Sequence, residues 1–192
     1  MRKDAQVWIE AIKSELTSLR INGTFEIIQG EVQKGMKLLS SRWILWNKLD
    51  CLGRLARRKA RLVIKGYIQR FGIDFGEIFA GVNRNSTLHT LLVKATAEDL
   101  EIDNIDIDTA FLNEELIDAE ILIKILQYFE EAFPEIKEML KKDPQKTRVY
   151  LKLKKSLYGL KQALCVWWLA VKKFYKELGL VASSADPNLF IG

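Results

Sequence analysis

An α+β fold is the class this sequence predicts, with mostly antiparallel strands and helices packed on them. Segments with helical apolar spacing are interspersed with segments that alternate like strands. The 192 residues are 48% hydrophobic and include 11 Gly and 3 Pro. That suits one domain with a sizeable core and excludes disordered, collagen-like and low-complexity classes. There is no internal repeat and no Pro- or Ser-rich linker.

The first element is a helix beginning near Asp4, which can cap it. Trp8, Ile9, Ile12, Leu16 and Leu19 recur at helical spacing up to Asn22 and Gly23. Thr24 to Ile28 reads as a short strand. Leu38–Leu49 and Arg57–Tyr67 are rich in β-branched, aromatic and alternating residues. Asp50-Cys51-Leu52-Gly53 between them predicts a turn, and hence a basic β-hairpin. Arg70 to Asn85 reads as a loop. Ser86 can cap a helix running to about Asp99, with Leu88, Leu91, Leu92 and Ala95 on one face. Glu101 to Ile107 alternates acids with isoleucines like the end of a strand, so Asp106 and Asp108 share a face. Thr109–Leu116 is expected to be helical, Ala119–Ile125 a strand, Phe129–Lys142 a helix and Arg148–Leu153 a strand. Leu160–Leu178 completes the set as a helix with a stripe of Leu164, Trp167, Trp168 and Val171, closed by Gly179.

Charge is distributed in blocks. Ser41 to Arg70 holds nine basic residues and one acid, Asp50. Glu98 to Glu120 holds ten acids and no base, and Lys137 to Lys161 holds nine bases and two acids. Any single block can be a solvated face. Basic, acidic and basic blocks in series fit chemistry that joins polyanions to divalent metal, with cations for phosphates and carboxylates for the ion. Other chemistries lack parts. The one histidine, His89, gives no His-based zinc site. No GxGxxG follows a strand and there is no P-loop lysine motif. Cys51 and Cys165 form neither a disulfide framework nor a zinc pattern, which suggests a reducing compartment inside the cell, and Cys165 is expected to be packed and inert. The longest apolar run, Ala163 to Val171, is far shorter than the roughly 20 residues of a membrane span.

Three blocks carry a family resemblance. Arg58-Lys59-Ala60-Arg61-Leu62-Val63-Ile64-Lys65-Gly66-Tyr67-Ile68-Gln69 with Gly72-Ile73-Asp74-Phe75, then Asp106-Ile107-Asp108-Thr109-Ala110-Phe111-Leu112-Asn113, then Ser156-Leu157-Tyr158-Gly159-Leu160-Lys161-Gln162-Ala163 together resemble the reverse transcriptase of copia-type retrotransposons. Trp8, Ala11, Glu15, Leu19, Asn22 and Thr24 to Glu26, with Arg42 to Ile44 and Asp186 to Phe190, fit the flanks, so nearly the whole chain is covered.

The resemblance implies a right-hand polymerase, with fingers over residues 1–85 and an incomplete palm over 86–192. It implies an RNA template, a DNA primer, deoxynucleotide triphosphates and Mg²⁺ as partners, no membrane, and the remainder of a Pol polyprotein. Lys59, Arg61 and Lys65 are then the candidate phosphate contacts. Asp106 becomes the catalytic carboxylate and metal ligand, and the Ile107 carbonyl a second ligand. Asp108 would be a surface acid. Phe111 would lie under the sugar and exclude a 2′-hydroxyl, unless it is simply core. Gln162 would touch nucleotide or template.

The match also has gaps. The family's Tyr-Val-Asp-Asp hairpin, which supplies the other two of three carboxylates, is absent from the sequence, and Asn113-Glu114, Ala80-Gly81-Val82, His89 and Leu164-Cys165 depart from its pattern. The expectation is a reverse transcriptase fragment, truncated before that hairpin and inactive alone. The alternatives are a non-catalytic RNA- or DNA-binding module derived from the element, or a relic without function.

Overall fold

A computed structural model describes residues 4–112, 114–116, 120–143 and 148–192. Helix α1 (Asp4–Ile21) buries Ile12, Leu16 and Leu19, the stripe the periodicity predicts. The Asp4 side chain, and so its cap, lies outside what is described. After Gly23 at φ +60° come β1 (Phe25–Gln29) and the two-residue β2 (Leu38–Leu39). The hairpin strands are β3 (Ser41–Leu49) and β4 (Leu55–Ile64). Their turn is held by Asp50, whose Oδ1 accepts the amides of Leu52 and Arg54, each at 2.9 Å, while Gly53 takes φ +73°.

Two further strands, β5 (Leu122–Lys124) and β6 (Val149–Leu153), complete a four-stranded sheet of order β1-β6-β5-β2. β6 is antiparallel to both neighbours, with Leu151 opposite Ile27 and Ile123, and only β2 and β5 run parallel. The sheet thus takes two strands from each side of residue 85, so neither half of the sequence closes its core alone.

The predicted helix 129–142 is two helices, α3 (Phe129–Ala132) and α4 (Pro134–Lys142). Pro134 drives Phe133 out of the helical region, to φ −127°, and then starts the next helix. Phe129 and Phe133 are fully buried, and Phe25 sits on both at 6.1 and 5.5 Å between ring centroids. Trp43 joins them at 6.2 Å from Phe129, tying the hairpin base to this core.

Three expectations fail. Glu101 to Ile107 forms no strand. Its alternation is real, but no strand among the described residues pairs with it, and Ile102 and Ile105 are 63% and 82% exposed. Thr109–Leu116 yields a 3₁₀ turn at Ala110–Leu112 in place of a helix, with Asn113 outside the described residues. The helix α2 (Asn85–Ala97) has no buried residue, and Leu88, Leu91 and Leu92 are exposed. Its cap is not Ser86, which lies inside the helix. Asp186, about a hundred positions away, accepts the Arg84 amide at 3.2 Å and the Thr87 hydroxyl at 2.7 Å. A buried carboxylate from elsewhere in the fold thus sits at the start of the helix, bonded to the flanking Arg84 amide and to a first-turn hydroxyl, with no side-chain cap on the helix amides.

The chain ends in α5 (Ala163–Glu177) and a small hairpin of β7 (Val181–Ala182) and β8 (Phe190–Ile191). Gly179 at φ +82° closes α5 as expected. Ala163 and Cys165 are its buried residues, whereas Leu164 of the expected stripe is 48% exposed. Trp167, Trp168 and Val171 are half-buried, and Trp168 donates to Asn188 Oδ1 at 2.6 Å. Among the described residues no helix is long and apolar enough to cross a membrane.

Candidate functional site

The outer edge of β4 has no strand partner among the described residues and is tied down at two points. Ile64 donates its amide to the Tyr158 carbonyl at 2.8 Å, and Leu62 donates to Glu15 Oε1 of α1 at 3.2 Å. Between α1, this edge and the segment 106–112 lies a cleft of about 500 Å³. It is lined by Glu15 and its helix neighbours, by Arg57 to Arg61, by Asp106 to Leu112 and by Tyr158.

Backbone packing sets the position of Tyr158. A Cβ on Gly66 would collide with the Gly159 carbonyl oxygen, and one on Gly159, at φ +90°, with the Ile64 carbonyl oxygen. Glycine at both positions lets the two loops meet backbone to backbone. Leu157, fully buried, pins the other side of Tyr158. The tyrosine ring then meets Phe111 edge-on at 5.1 Å and carries the Arg61 guanidinium on its face at 4.3 Å.

Electrostatics follow from this crowding. Burial lowers the Lys59 pKa from its ordinary value, and the like charges of Arg61 and Arg57 add to the effect. Burial raises the Glu15 carboxyl, against the opposing pull of the Leu62 amide, Arg61 and Lys59. The β4 wall of the cleft is therefore cationic, with the half-buried Glu15 carboxylate behind it and Asp106 and Asp108 on the opposite segment.

Of the residues singled out from the sequence, Lys59, Arg61, Asp106, Ile107 and Phe111 all line this cleft, as does Asp108. Asp106 is exposed, on irregular backbone beside Thr109 at φ +53°. Lys65 and Gln162 are not among the lining residues. The Lys65 amide donates to the Ser40 carbonyl at 2.9 Å. Gln162 is 7% exposed: its Oε1 accepts from Gln69 Nε2 at 3.0 Å, and its Nε2 donates to the Asp74 carbonyl at 3.2 Å. Sequence reasoning passed over Tyr158 and Trp46. Tyr158 stands inside a quoted motif, and Trp46 is found only when the hairpin register places it opposite Lys59.

A two-ion Mg²⁺ centre needs several carboxylates converging on one point. Among the described residues no group of three His, Cys, Asp or Glu side chains could hold a metal. Of the other two carboxylates lining the cleft, Asp108 is exposed and Glu15 is engaged by the Leu62 amide. Asp106 and the Ile107 carbonyl by themselves do not make up such a centre.

Comparison with known proteins gives the family. The family described as "Reverse transcriptase (RNA-dependent DNA polymerase)" matches residues 22–192. The chain is 36% identical over 182 residues to the retrovirus-related Pol polyprotein from transposon TNT 1-94 of Nicotiana tabacum, covering 95% of this chain and 13% of that protein. It is 30% and 29% identical to the Pol polyproteins from transposons RE1 and RE2 of Arabidopsis thaliana, over 96% of this chain and 12% of each of theirs. The chain thus spans about an eighth of the length of these curated relatives. No solved structure matches it. The cationic strand, the Asp106 segment and the Tyr158 loop that meet in one cleft are the three blocks of the family resemblance, and the chain belongs to the reverse transcriptases of copia-type retrotransposon Pol polyproteins.

Proposed function

We propose that these residues form the nucleotide-binding part of an RNA-directed DNA polymerase, with residues 1–85 acting as fingers and 86–192 as part of the palm. One observation supports this above the others: Lys59 and Arg61, Phe111 and Asp106, distant in sequence, share one cleft. Lys59 and Arg61 hold the triphosphate of the incoming deoxynucleotide, the fork of Arg61 being oriented by the Tyr158 face. Phe111, braced edge-on by Tyr158, packs beneath the sugar and leaves no room for a 2′-hydroxyl. Asp106 and the Ile107 carbonyl would be this chain's share of the ligands to a divalent metal, which would supply charge stabilisation at the phosphate. The remaining carboxylates come from outside this sequence, which contains no Tyr-x-Asp-Asp. Gln162 acts indirectly, bracing the Gln69–Asp74 loop, and Lys65 stands at the end of the cationic strand. An RNA template and a DNA primer are the other substrates, and other Pol segments are partners.

Residues 22–192 exchanged into the matching region of the tobacco relative should sustain primer extension on an RNA template with Mg²⁺. Asp106→Asn in that chimera should abolish extension, and Phe111→Ala should admit ribonucleotides. Extension that survives Asp106→Asn, or a chimera that folds and extends nothing, would refute the reading. The 192-residue chain by itself should not extend primers.

A further inference from the structure

Glu15 is an acid on the cationic side of the cleft. Of the α1 residues on the wall, Ala11, Ser14, Glu15 and Ser18, it alone carries charge. Its Oε1 accepts the Leu62 amide at 3.2 Å, and the Tyr158 carbonyl accepts the Ile64 amide at 2.8 Å. Amides along an antiparallel strand face its partner and turn away from it in alternation. Leu62 and Ile64 present outward ones, so Glu15 and Tyr158 stand where a further strand would supply acceptors. The anchor at Leu62 is the nearer of the two to Lys59 and Arg61, and it is a side chain that carries charge. Burial dominates the pKa shift at both Glu15 and Lys59, and beneath it the coupling is reciprocal. Arg61 and Lys59 favour the ionised Glu15 carboxyl, and that carboxylate favours the charged Lys59 ammonium.

We infer that Glu15 is a positioning residue that sets the affinity of Lys59 and Arg61 for a polyphosphate through two opposed effects. As an acceptor it fixes the β4 backbone at Leu62, so Arg61, the residue before, and Lys59, two further back, enter the cleft from a held strand. As an anion it lies in the field of the same two cations and repels the phosphates they attract. In the empty cleft the carboxylate offsets the mutual repulsion of Arg57, Lys59 and Arg61; once a polyanion arrives, it competes with it. The acceptor therefore raises phosphate affinity and the charge lowers it. Substitution separates the two. Glutamine keeps an acceptor oxygen without the charge, and alanine keeps neither. Naming the polyphosphate as that of a deoxynucleotide rests on the polymerase reading, whereas the effect on a bare polyphosphate does not.

The test is calorimetric titration of inorganic tripolyphosphate into the purified 192-residue chain at low salt without metal. Glu15→Gln should tighten binding about 2- to 10-fold, since one anion is removed from the field of two cations. Glu15→Ala should bind more weakly than Glu15→Gln, because the two lack the same charge and differ in the anchor. Hydrogen exchange reads that anchor directly. Protection of the Leu62 amide should persist in Glu15→Gln and fall about 2- to 12-fold in Glu15→Ala. In a Lys59→Gln background the gain from Glu15→Gln should shrink, which a residue that only stabilises the fold would not produce. In the chimera with the tobacco relative, Glu15→Gln should lower the deoxynucleotide KM by the factor seen with tripolyphosphate and leave kcat within about twofold. Equal tripolyphosphate affinity in wild type and Glu15→Gln would overturn the inference. So would a gain undiminished by Lys59→Gln, equal Leu62 protection in Glu15→Gln and Glu15→Ala, or tripolyphosphate binding by none of the variants. A chimera that folds and extends nothing, with the tripolyphosphate gain intact, would refute the polymerase reading and leave the role of Glu15 standing. An active chimera whose KM ignores Glu15→Gln would do the reverse.

Discussion

Gln162 distinguishes a bracing role from direct nucleotide contact. Gln162→Leu keeps the volume and removes two hydrogen bonds, from Gln69 Nε2 and to the Asp74 carbonyl. Neither partner is orphaned, because Gln69 Nε2 also donates to the Asp74 carbonyl at 3.2 Å. At about 0.5–1.5 kcal/mol for each net bond, partly offset by the buried leucine, the expected cost is about 1–2 kcal/mol. Gln69→Leu is worse. It removes the same shared bond, the bond to Asp74, and the Lys161 amide's acceptor at 2.9 Å, leaving Gln162 Oε1 without a donor. That places it at about 2–4 kcal/mol. The double variant should cost about 1 kcal/mol less than the sum, since the orphaned Gln162 oxygen disappears with its residue. Urea unfolding followed by circular dichroism, with unchanged m-values, measures all three. Gln162→Leu as stable as wild type, or strict additivity of the pair, would refute the bracing role.

Two further predictions concern the loops and the acid limb of stability. Gly159→Ala forces a side chain into left-handed backbone and against the Ile64 carbonyl, so it should cost more than the roughly 1–3 kcal/mol of backbone strain alone. It should displace Tyr158 from the cleft, read as lost protection of the Ile64 amide in hydrogen exchange. The Thr87 hydroxyl, then the Asn188 and Arg84 amides, hold the Asp186 carboxyl below its usual 3.8. At Asp74, burial pushes upward but the Arg70 guanidinium and amide outweigh it, so its pKa is lowered too. Both carboxylates have native pKa values below their unfolded ones, so each stabilises the fold above about pH 3.8, and that stability is lost as pH falls through the native value. Glu15 has the opposite sign. Its raised pKa makes it a cost at neutral pH that is relieved as pH falls through the native value, so stability should rise slightly before the acid loss begins. Thermal melts across pH measure both: Glu15→Gln should remove the rise, and Asp186→Asn should shrink the loss.

The readings that succeeded rest on local chemistry. The ribbon and its turn follow from alternation, Asp50 and Gly53; α1 from its apolar spacing; the end of α5 from Gly179. Those that failed depend on what lies across the fold. Residues 101–107 alternate as a strand should, yet among the described residues no partner edge reaches them, and alternation without a partner does not make a sheet. Ser86 has the right chemistry for a cap, yet it lies inside the helix, and Asp186 from the other end of the chain holds the helix start through the Arg84 amide and the Thr87 hydroxyl. The hydrogen-bond partners of Gln162, Gln69 and the Asp74 carbonyl, likewise lie across the fold and are not legible in its motif.

Family membership, the charge blocks, the hairpin and the identities of Asp106, Phe111 and Lys59 are properties of the amino-acid order alone, because each is carried by neighbouring residues. That Tyr158 stands between Phe111 and Arg61, that Trp46 lies under two cations, and that Glu15 closes the β4 edge were decided by tertiary structure. Those contacts exist only after α1, β4 and the Gly159 loop meet, and each depends on a backbone approach or strand register that no short stretch of sequence encodes.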